Sequence, residues 1–310
     1  MSSRLRIVFM GTPEFAVPAV DALVKDGFDV AAIVTVPDKP AGRGQQLQES
    51  AVKKYALSQH IPVLQPEKLK APEFVDQLQQ IAADLFVVVA FRMLPEVVWN
   101  MPRLGTINLH GSLLPKYRGA APINRAVMNG EHETGVTTFF LQHEIDTGRV
   151  IMREKMSIGE NETAGEVHDR MMLMGAQTLL KTVQKIEAGT ADAIPQEELV
   201  QSGESIIHAP KIFKEDCRIH WNQSVDAIHN FVRGLSPYPA AFTDLQGKTF
   251  KIYAGIKKKT AHSEEAGSWK IIDQKELLFA ATDGYYSVTE VQLEGKKKMK
   301  TDEFLRGFKG

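Results

Sequence analysis

Short unbroken apolar runs alternate with longer stretches whose apolar side chains recur every three or four positions. Ile7, Val8, Phe9 and Met10 form the first run, which Gly11-Thr12-Pro13 ends. Phe15, Val20 and Leu23 then share one helical face and predict a helix over residues 15–25. The same alternation predicts strands over 30–36, 85–90, 106–110, 136–141 and 150–156, with helices over 50–59, 71–82 and 122–128. Residues 85–90 are apolar throughout, as in a strand covered on both faces. A last helix has a legible start. Thr163 and Glu166 match a capping box, and Val167, Met171, Met174, Leu180 and Val183 form a stripe that runs to Ile186. Strands alternating with helices imply an α/β fold, a doubly wound and mostly parallel sheet with right-handed crossovers.

The rhythm lapses over 189–210, which reads as a linker. Beyond Lys211, short strand-like runs separated by turns take over, at 218–221, 241–243, 250–253, 269–272, 277–281 and 286–291. That spacing predicts a small β-barrel or sandwich. The expected organisation is a domain over 1–188, a linker over 189–210 and a second domain over 211–310.

Charge adds something the pattern does not. The formal net charge is −1, but residues 211–310 carry 17 Lys/Arg against 13 Asp/Glu, whereas residues 1–210 carry 20 against 25. The basic surplus falls in the smaller domain, which suits a polyanionic partner. Cys217 is the single cysteine, so no intrachain disulfide is expected. Neither His-Glu-x-x-His nor Cys-x-x-Cys spacing occurs, and no metal is expected. No apolar run approaches the roughly 18 residues of a membrane span, and residues 7–10 are too few for a signal-peptide core. The expectation is a reduced, cytoplasmic, metal-independent protein.

On a strand over 106–110 the side chains alternate, so Asn108 and His110 share one face and Ile107 and Leu109 the other. An amide donor and an imidazole then sit side by side at a strand's carboxyl end, where open α/β sheets bind ligands. A carboxylate from another loop would complete a set able to polarise a carbonyl and move a proton. Asp146, in Asp146-Thr147-Gly148, is the candidate. Structural readings stay open beside this one. Polar residues in buried strands often serve only as hydrogen-bonded packing, and Asp often starts a turn by accepting backbone N–H groups. Gly11-Thr12-Pro13 lacks the glycine spacing of a dinucleotide or triphosphate loop, and Pro13 removes a donor. Lys39 and Arg43 lie in a loop over 37–46 that is either a solvated surface segment or a finger for phosphates. The lysine runs 257–259 and 296–298 pose the same choice, with Tyr253 and Trp269 nearby in sequence.

The string Ile107-Asn108-Leu109-His110-Gly111-Ser112-Leu113-Leu114-Pro115-Lys116-Tyr117-Arg118-Gly119-Ala120-Ala121-Pro122-Ile123 resembles the signature of the folate-dependent formyltransferases. The opening Phe9-Met10-Gly11-Thr12-Pro13-Glu14-Phe15, the loop Pro37-Asp38-Lys39-Pro40-Ala41-Gly42-Arg43-Gly44 and the later Lys214-Glu215-Asp216-Cys217-Arg218-Ile219-His220-Trp221 resemble the branch of that family that formylates methionyl-tRNA. The resemblance implies a Rossmann-like formyl-transfer domain and a C-terminal barrel resembling an OB-fold. It also implies two substrates, 10-formyltetrahydrofolate and methionyl initiator tRNA, and no metal. By motif position it implies catalytic roles for Asn108, His110 and Asp146, and folate contacts from Ser112, Leu113, Leu114 and Pro115. Phe91, Met93 and Leu94 are expected to border the folate pocket, in a segment one residue shorter than the family's Ala-Tyr-Gly-x-Ile-Leu-Pro. Lys39, Arg43, Lys211 and Lys214 are the implied tRNA contacts. Glu144 and Ile145 stand where the family has Gly-Leu. The rival readings are a formyltransferase acting on a small amine such as glycinamide ribonucleotide or an amino sugar nucleotide, a formyl-folate hydrolase, and a non-catalytic tRNA-binding protein.

Overall fold

The computed structural model describes residues 4–41, 46–200 and 206–308, which fall into two compact units. The first takes the described residues of Met1–Arg118, Gly135–Met156 and Asp169–His208; the second takes Gly119–Thr134, Ser157–His168 and those of Ala209–Gly310. Each unit therefore draws on separated stretches of chain.

From the amino terminus the elements are β1 (Arg6–Gly11), a 3-10 turn at Glu14–Ala16, α1 (Val17–Lys25), β2 (Asp29–Val34), β3 (Lys39–Ala41), β4 (Gln46–Gln48), α2 (Ala51–Ser58), β5 (Val63–Leu64), α3 (Pro72–Ile81) and β6 (Leu85–Val89). They continue as α4 (Glu96–Trp99), β7 (Thr106–His110), α5 (Pro122–Met128), β8 (Glu133–Phe140), β9 (Val150–Ser157) and α6 (Ala164–Glu187). Among the described residues of the first unit, seven strands form one sheet in the order β5-β2-β1-β6-β7-β8-β9. β5, β2, β1, β6 and β7 are parallel, and β8 runs antiparallel to β7. The chain leaves β1 first toward β2 and then returns to its other side as β6, so the strand order reverses there. Loops after β1, β6 and β7 open at that reversal, the usual ligand crevice of such sheets.

Local chemistry explains these elements. Ile7 to Met10 of β1 are fully buried, as a central parallel strand demands. Ser50 caps α2 by accepting the Lys53 N–H at 3.0 Å. The capping box of α6 is formed in both directions: Glu166 N–H donates to Thr163 Oγ1 at 3.2 Å, and Thr163 N–H donates to Glu166 Oε2 at 2.8 Å. Gly175 of α6 lies against Leu109, where an added Cβ would come within 3.0 Å of Leu109 Cδ2. The helix thus covers the Leu109 face of β7 and leaves the opposite face to Asn108 and His110.

Several expectations need correction. The segment 37–46 is not simply a loop: Lys39 pairs with Gln48 and Ala41 with Gln46 in a β3–β4 hairpin. Asp38 anchors its root, bonded by Lys53 and accepting from Gln65 Nε2 at 2.8 Å, and these partners hold its carboxyl below the usual carboxylate range. β5 and α4 are too short to register as periodicity. Residues 218–221 do not form a strand; Arg218 makes an isolated bridge to Phe242.

The second unit carries α7 (Val225–Leu235), β10 (Ala241–Leu245), β11 (Lys248–Lys259), β12 (Trp269–Ile272), β13 (Glu276–Ala280), β14 (Gly284–Leu293), β15 (Met299–Lys300) and α8 (Thr301–Gly307). Among its described residues the strands form an antiparallel sheet, β10-β11-β14-β13-β12, with β15 beside β14. Phe250, Phe279, Tyr286 and Val291 of the sheet share a core with Ile228, Val232 and Leu235 of α7 and with Phe304 and Leu305 of α8. Neither helix is anticipated above, although Val225, Ile228, Val232 and Leu235 sit at helical spacing behind the Ser224 cap. Trp221 stacks on Phe279 with ring centroids 4.6 Å apart and donates its indole N–H to Thr243 Oγ1 at 3.0 Å.

His229 of α7 is buried in this core, and no described group hydrogen-bonds its Nε2. Burial, then the charges of Lys257 and Arg233, push its pKa below 6.5. The unfolded chain therefore binds this proton more readily than the folded one, so the stabilisation present above pH 6.5 is lost as pH falls toward the folded-state value. The expected result is that wild-type Tm drops more steeply between pH 7 and pH 5 than that of His229→Gln, read by thermal melts across that range. Equal slopes would remove His229 from the acid response.

Candidate active site

β7 delivers Asn108 and His110 to the carboxyl edge of the sheet, on the face away from α6. His110 is 6% exposed, and its Nε2 lies 2.8 Å from the carbonyl oxygen of Tyr117. A carbonyl only accepts, so Nε2 carries the hydrogen. The other nitrogen, Nδ1, lies 3.8 Å from Asp146 Oδ2. That is an ion-pair distance, too long for a direct hydrogen bond. The ring is held edge-on to Phe139, with centroids 6.5 Å apart. Asn108 is half-buried, and none of the described residues hydrogen-bonds its side chain. A substrate at this edge would thus meet an amide, an imidazole and a carboxylate together.

Two backbone devices aim these groups. Tyr117 and Asp146 both adopt left-handed conformations, with φ of 62° and 55°. Non-glycine residues in that region cost about 1–3 kcal/mol each and persist only where their surroundings hold them. Gly148 closes the Asp146 turn for a different reason: a Cβ there would lie 1.6 Å from the Phe140 carbonyl oxygen. Between the segments that carry His110 and Asp146, Thr137 stitches the Gly111–Pro115 turn, accepting from Leu114 N–H at 3.0 Å and donating to the Ser112 carbonyl at 2.7 Å.

The remaining expected residues divide. Ser112 is fully buried and its hydroxyl donates to the Lys116 carbonyl at 2.6 Å. Leu114 packs with Phe139 and Val150, and Leu94 packs in the cluster around Met10, Phe86 and Val88. Ser112 and Leu114 are thus wholly buried, and their main-chain groups are already engaged: Leu114 N–H and the Ser112 carbonyl by Thr137, and the Leu114 carbonyl by Arg153. Leu113 is half-buried, Pro115 is buried, Phe91 is half-buried against the same cluster as Leu94, and Met93 is 74% exposed. Ala90, just after β6, takes φ 48°, so the turn into this shortened segment falls on an alanine. Arg92 turns away from β7 and donates to the Pro66 and Glu67 carbonyls. Glu144 is exposed, and its carbonyl accepts the Thr147 hydroxyl at 3.0 Å.

Lys39 is exposed on β3, and Arg43 lies outside the described residues. Lys211 and Lys214 belong to the second unit, where they line a cavity of about 450 Å³ with Lys251, Phe213 and Tyr238. The two aromatic rings are 60% and 82% exposed. Among the described residues none of these three lysines has a carboxylate within ion-pair reach. The triple lysine over 257–259 is different. Lys257 pairs with Glu160 and Asp226, each at 2.9 Å, Lys258 with Glu276 and Lys259 with Asp226, while Lys298 pairs with Glu290 at 2.9 Å. Sequence reasoning weighed these runs by their charge and the nearby Tyr253 and Trp269, and overlooked Lys251.

Gln196 was also missed. It lies in the stretch read as a linker, yet it is 1% exposed and hydrogen-bonds the turn that carries Asp146. Its only sequence neighbour of note is Pro195, which gives no such signal. Among the described residues no cluster of His, Cys, Asp or Glu is placed to hold a metal ion, and no helix is long and apolar enough to cross a membrane.

Comparisons with known proteins bear on the family and the fold. A family described as Formyl transferase matches residues 5–183, and its C-terminal domain matches residues 211–309. Methionyl-tRNA formyltransferase of Bacteroides fragilis is 54% identical over 309 residues, covering 98% of this chain and 95% of that protein. Its counterpart in Parabacteroides distasonis is 54% identical over 311 residues, covering 98% and 96%. Among solved structures, an N-formyltransferase from Helicobacter canadensis in complex with folinic acid and dTDP-3-aminofucose superposes with a TM-score of 0.66 at 20% identity, over 95% of this chain and all of that one.

Proposed function

The chain belongs to the methionyl-tRNA formyltransferase family, and on that premise we propose that the β7 site carries a formyl group from 10-formyltetrahydrofolate to the α-amino group of methionyl initiator tRNA. The amine nitrogen attacks the formyl carbon, forming a C–N bond and leaving negative charge on the formyl oxygen. Asn108 donates an amide N–H to that oxygen. His110 presents Nδ1 to the reacting atoms, with Nε2–H already committed to Tyr117. Nδ1 takes the proton lost by the amine, and the Asp146 carboxylate stabilises it there. Nδ1 delivers it to the folate nitrogen as the bond from that nitrogen to the formyl carbon breaks and the carbonyl re-forms, so the proton ends on tetrahydrofolate. The observation that carries this reading is the placement of His110 between a fixed carbonyl and a carboxylate, with an amide donor two residues away on the same strand face. The tRNA substrate makes the protein cytoplasmic.

The direct experiment supplies labelled 10-formyltetrahydrofolate with methionyl initiator tRNA, methionyl elongator tRNA and glycinamide ribonucleotide as parallel acceptors. Label on the initiator alone is expected. Transfer to the small amine and to no tRNA would overturn the tRNA assignment, and free formate without an acceptor would point to hydrolysis.

Lys39, Arg43, Lys211 and Lys214 are assigned to tRNA phosphates, with Lys251 added because it lines the same cavity as Lys211 and Lys214 and, like them, has no carboxylate partner among the described residues. Exposed Phe213 and Tyr238 beside these cations suit an RNA contact. The expected result is a steep loss of tRNA affinity with salt, with Lys214→Gln and Lys251→Gln each lowering the log–log slope by about one. Lys257→Gln should leave the slope unchanged, because Glu160 and Asp226 already neutralise that charge. Binding titrations between low and high salt check both. A slope that moves with Lys257 and not with Lys214 would reverse the assignment.

A further inference from the structure

Both partners of His110 are backbone-positioned by residues in left-handed conformations, and one buried pair links the two. Gln196 donates its side-chain amide to the carbonyl of Asp146 and to that of Gly148, each at 2.8 Å. Its Oε1 accepts from Arg118 Nε at 3.0 Å and from the terminal NH2 at 2.7 Å. Arg118 directly follows Tyr117, whose carbonyl holds His110 Nε2. Tyr117 and Arg118 are in turn pinned to the incoming chain, through Tyr117 N–H to the Ile207 carbonyl at 2.6 Å and a bridge between Arg118 and His208. We propose that Arg118 and Gln196 form a bracket that positions the Tyr117 carbonyl and the Asp146 carboxylate on the two nitrogens of His110.

The chemistry of the bracket demands these two side chains. The Asp146 and Gly148 carbonyls each need a donor, and only an amide offers two N–H groups together with an acceptor for the guanidinium. A planar guanidinium presents neighbouring donors to one oxygen in fixed geometry, which an ammonium does not reproduce. Arg118 and Gln196 touch neither substrate nor reacting atoms, so both are positioning residues. Their effect runs through geometry: without the bracket the two left-handed turns are free to relax, and a displacement near 1 Å at reacting groups can cost about 100-fold in rate.

The proposal rests on the reading of His110 and Asp146 as the reacting pair, and its test separates the two. Gln196→Ala and Gln196→Glu are compared with wild type for kcat, for KM of both substrates, for Tm and for the ring-nitrogen NMR shifts of His110. Gln196→Glu keeps size and the Arg118 contact but turns oxygens toward the two carbonyls. Both variants are expected to lose about 100-fold in kcat with KM for the formyl donor little changed. Their His110 ring should shift from the single Nε2–H form of wild type to a tautomer mixture. Arg118→Lys, which preserves charge, gives the same readouts should the Gln196 variants fold poorly. Retention of kcat within about twofold in a folded variant, or ring-nitrogen shifts identical to wild type, overturns the bracket. The NMR arm needs no substrate. A wild type that formylates no acceptor would therefore fail the reading of the site while the tautomer measurement still decides the bracket.

Discussion

Asp146→Asn will lower kcat by about two to four orders of magnitude, the range general acid–base groups contribute, with the fold retained. Asparagine is isosteric and can keep the turn: the Asp146 carbonyl still accepts from Gln196, and asparagine tolerates the left-handed φ of 55° as well as aspartate does. What vanishes is the charge 3.8 Å from His110 Nδ1. That charge is what makes a proton on Nδ1 favourable while the tetrahedral intermediate collapses, so the loss falls on the chemical step. Single-turnover transfer of labelled formyl, with both substrates saturating, reads this directly. An undiminished single-turnover rate would confine Asp146 to a structural role in its turn.

Asn108→Ala should cost about 100- to 1000-fold in turnover, the usual consequence of deleting one oxyanion donor (about 2.7–4 kcal/mol). The change removes a half-buried side chain that no described residue hydrogen-bonds, so little folding stability depends on it. The fall should appear in kcat and in kcat/KM alike, because the donor acts on charge that exists only beyond the ground state. A matched thermal melt establishes that the variant is folded. An effect confined to KM would show that Asn108 binds the ground state and does not stabilise the oxyanion.

The two variants also differ in what else they disturb. Asp146 sits in a turn defined by Gly148, where a Cβ has no room beside the Phe140 carbonyl, and by the amide of Gln196. Asn108 sits mid-sheet, paired through its backbone to Val88 on one side and Phe139 on the other. The strand residue is held by sheet pairing that its side chain does not influence. The loop residue is held by side-chain contacts from far along the chain, so its geometry is the more fragile of the two.

Much of the first unit's sheet was legible because burial on both faces and alternation write themselves into composition. Thr106–His110 and Pro122–Met128 match their predicted bounds, and the α6 start follows from Thr163 and Glu166. Elements of one turn or two residues, such as α4 and β5, carry too few positions for any period to emerge. The missed α7 is another case: its apolar spacing is regular, but it stands among short strands that dominate the local texture. Charge counts named a basic region yet could not separate Lys251, which among the described residues has no carboxylate partner beside Lys211 and Lys214, from Lys257, which is neutralised. Pairing depends on which carboxylate folds nearby, and no local window contains that.

Sequence alone determined which chemical groups share a strand face, since alternation puts Asn108 and His110 on one side of β7 wherever that strand lies. It also determined, through the motif, the family to which those groups belong. Tertiary structure decided everything that depends on contact between distant segments. It set Asp146 against His110 Nδ1, gave Nε2 to Tyr117, and brought Gln196 from the apparent linker to hold the Asp146 turn. The physical reason is the range of the forces: periodicity records whether a residue faces core or solvent, an average that tolerates many arrangements. A hydrogen bond near 2.8 Å between residues 50 positions apart tolerates one.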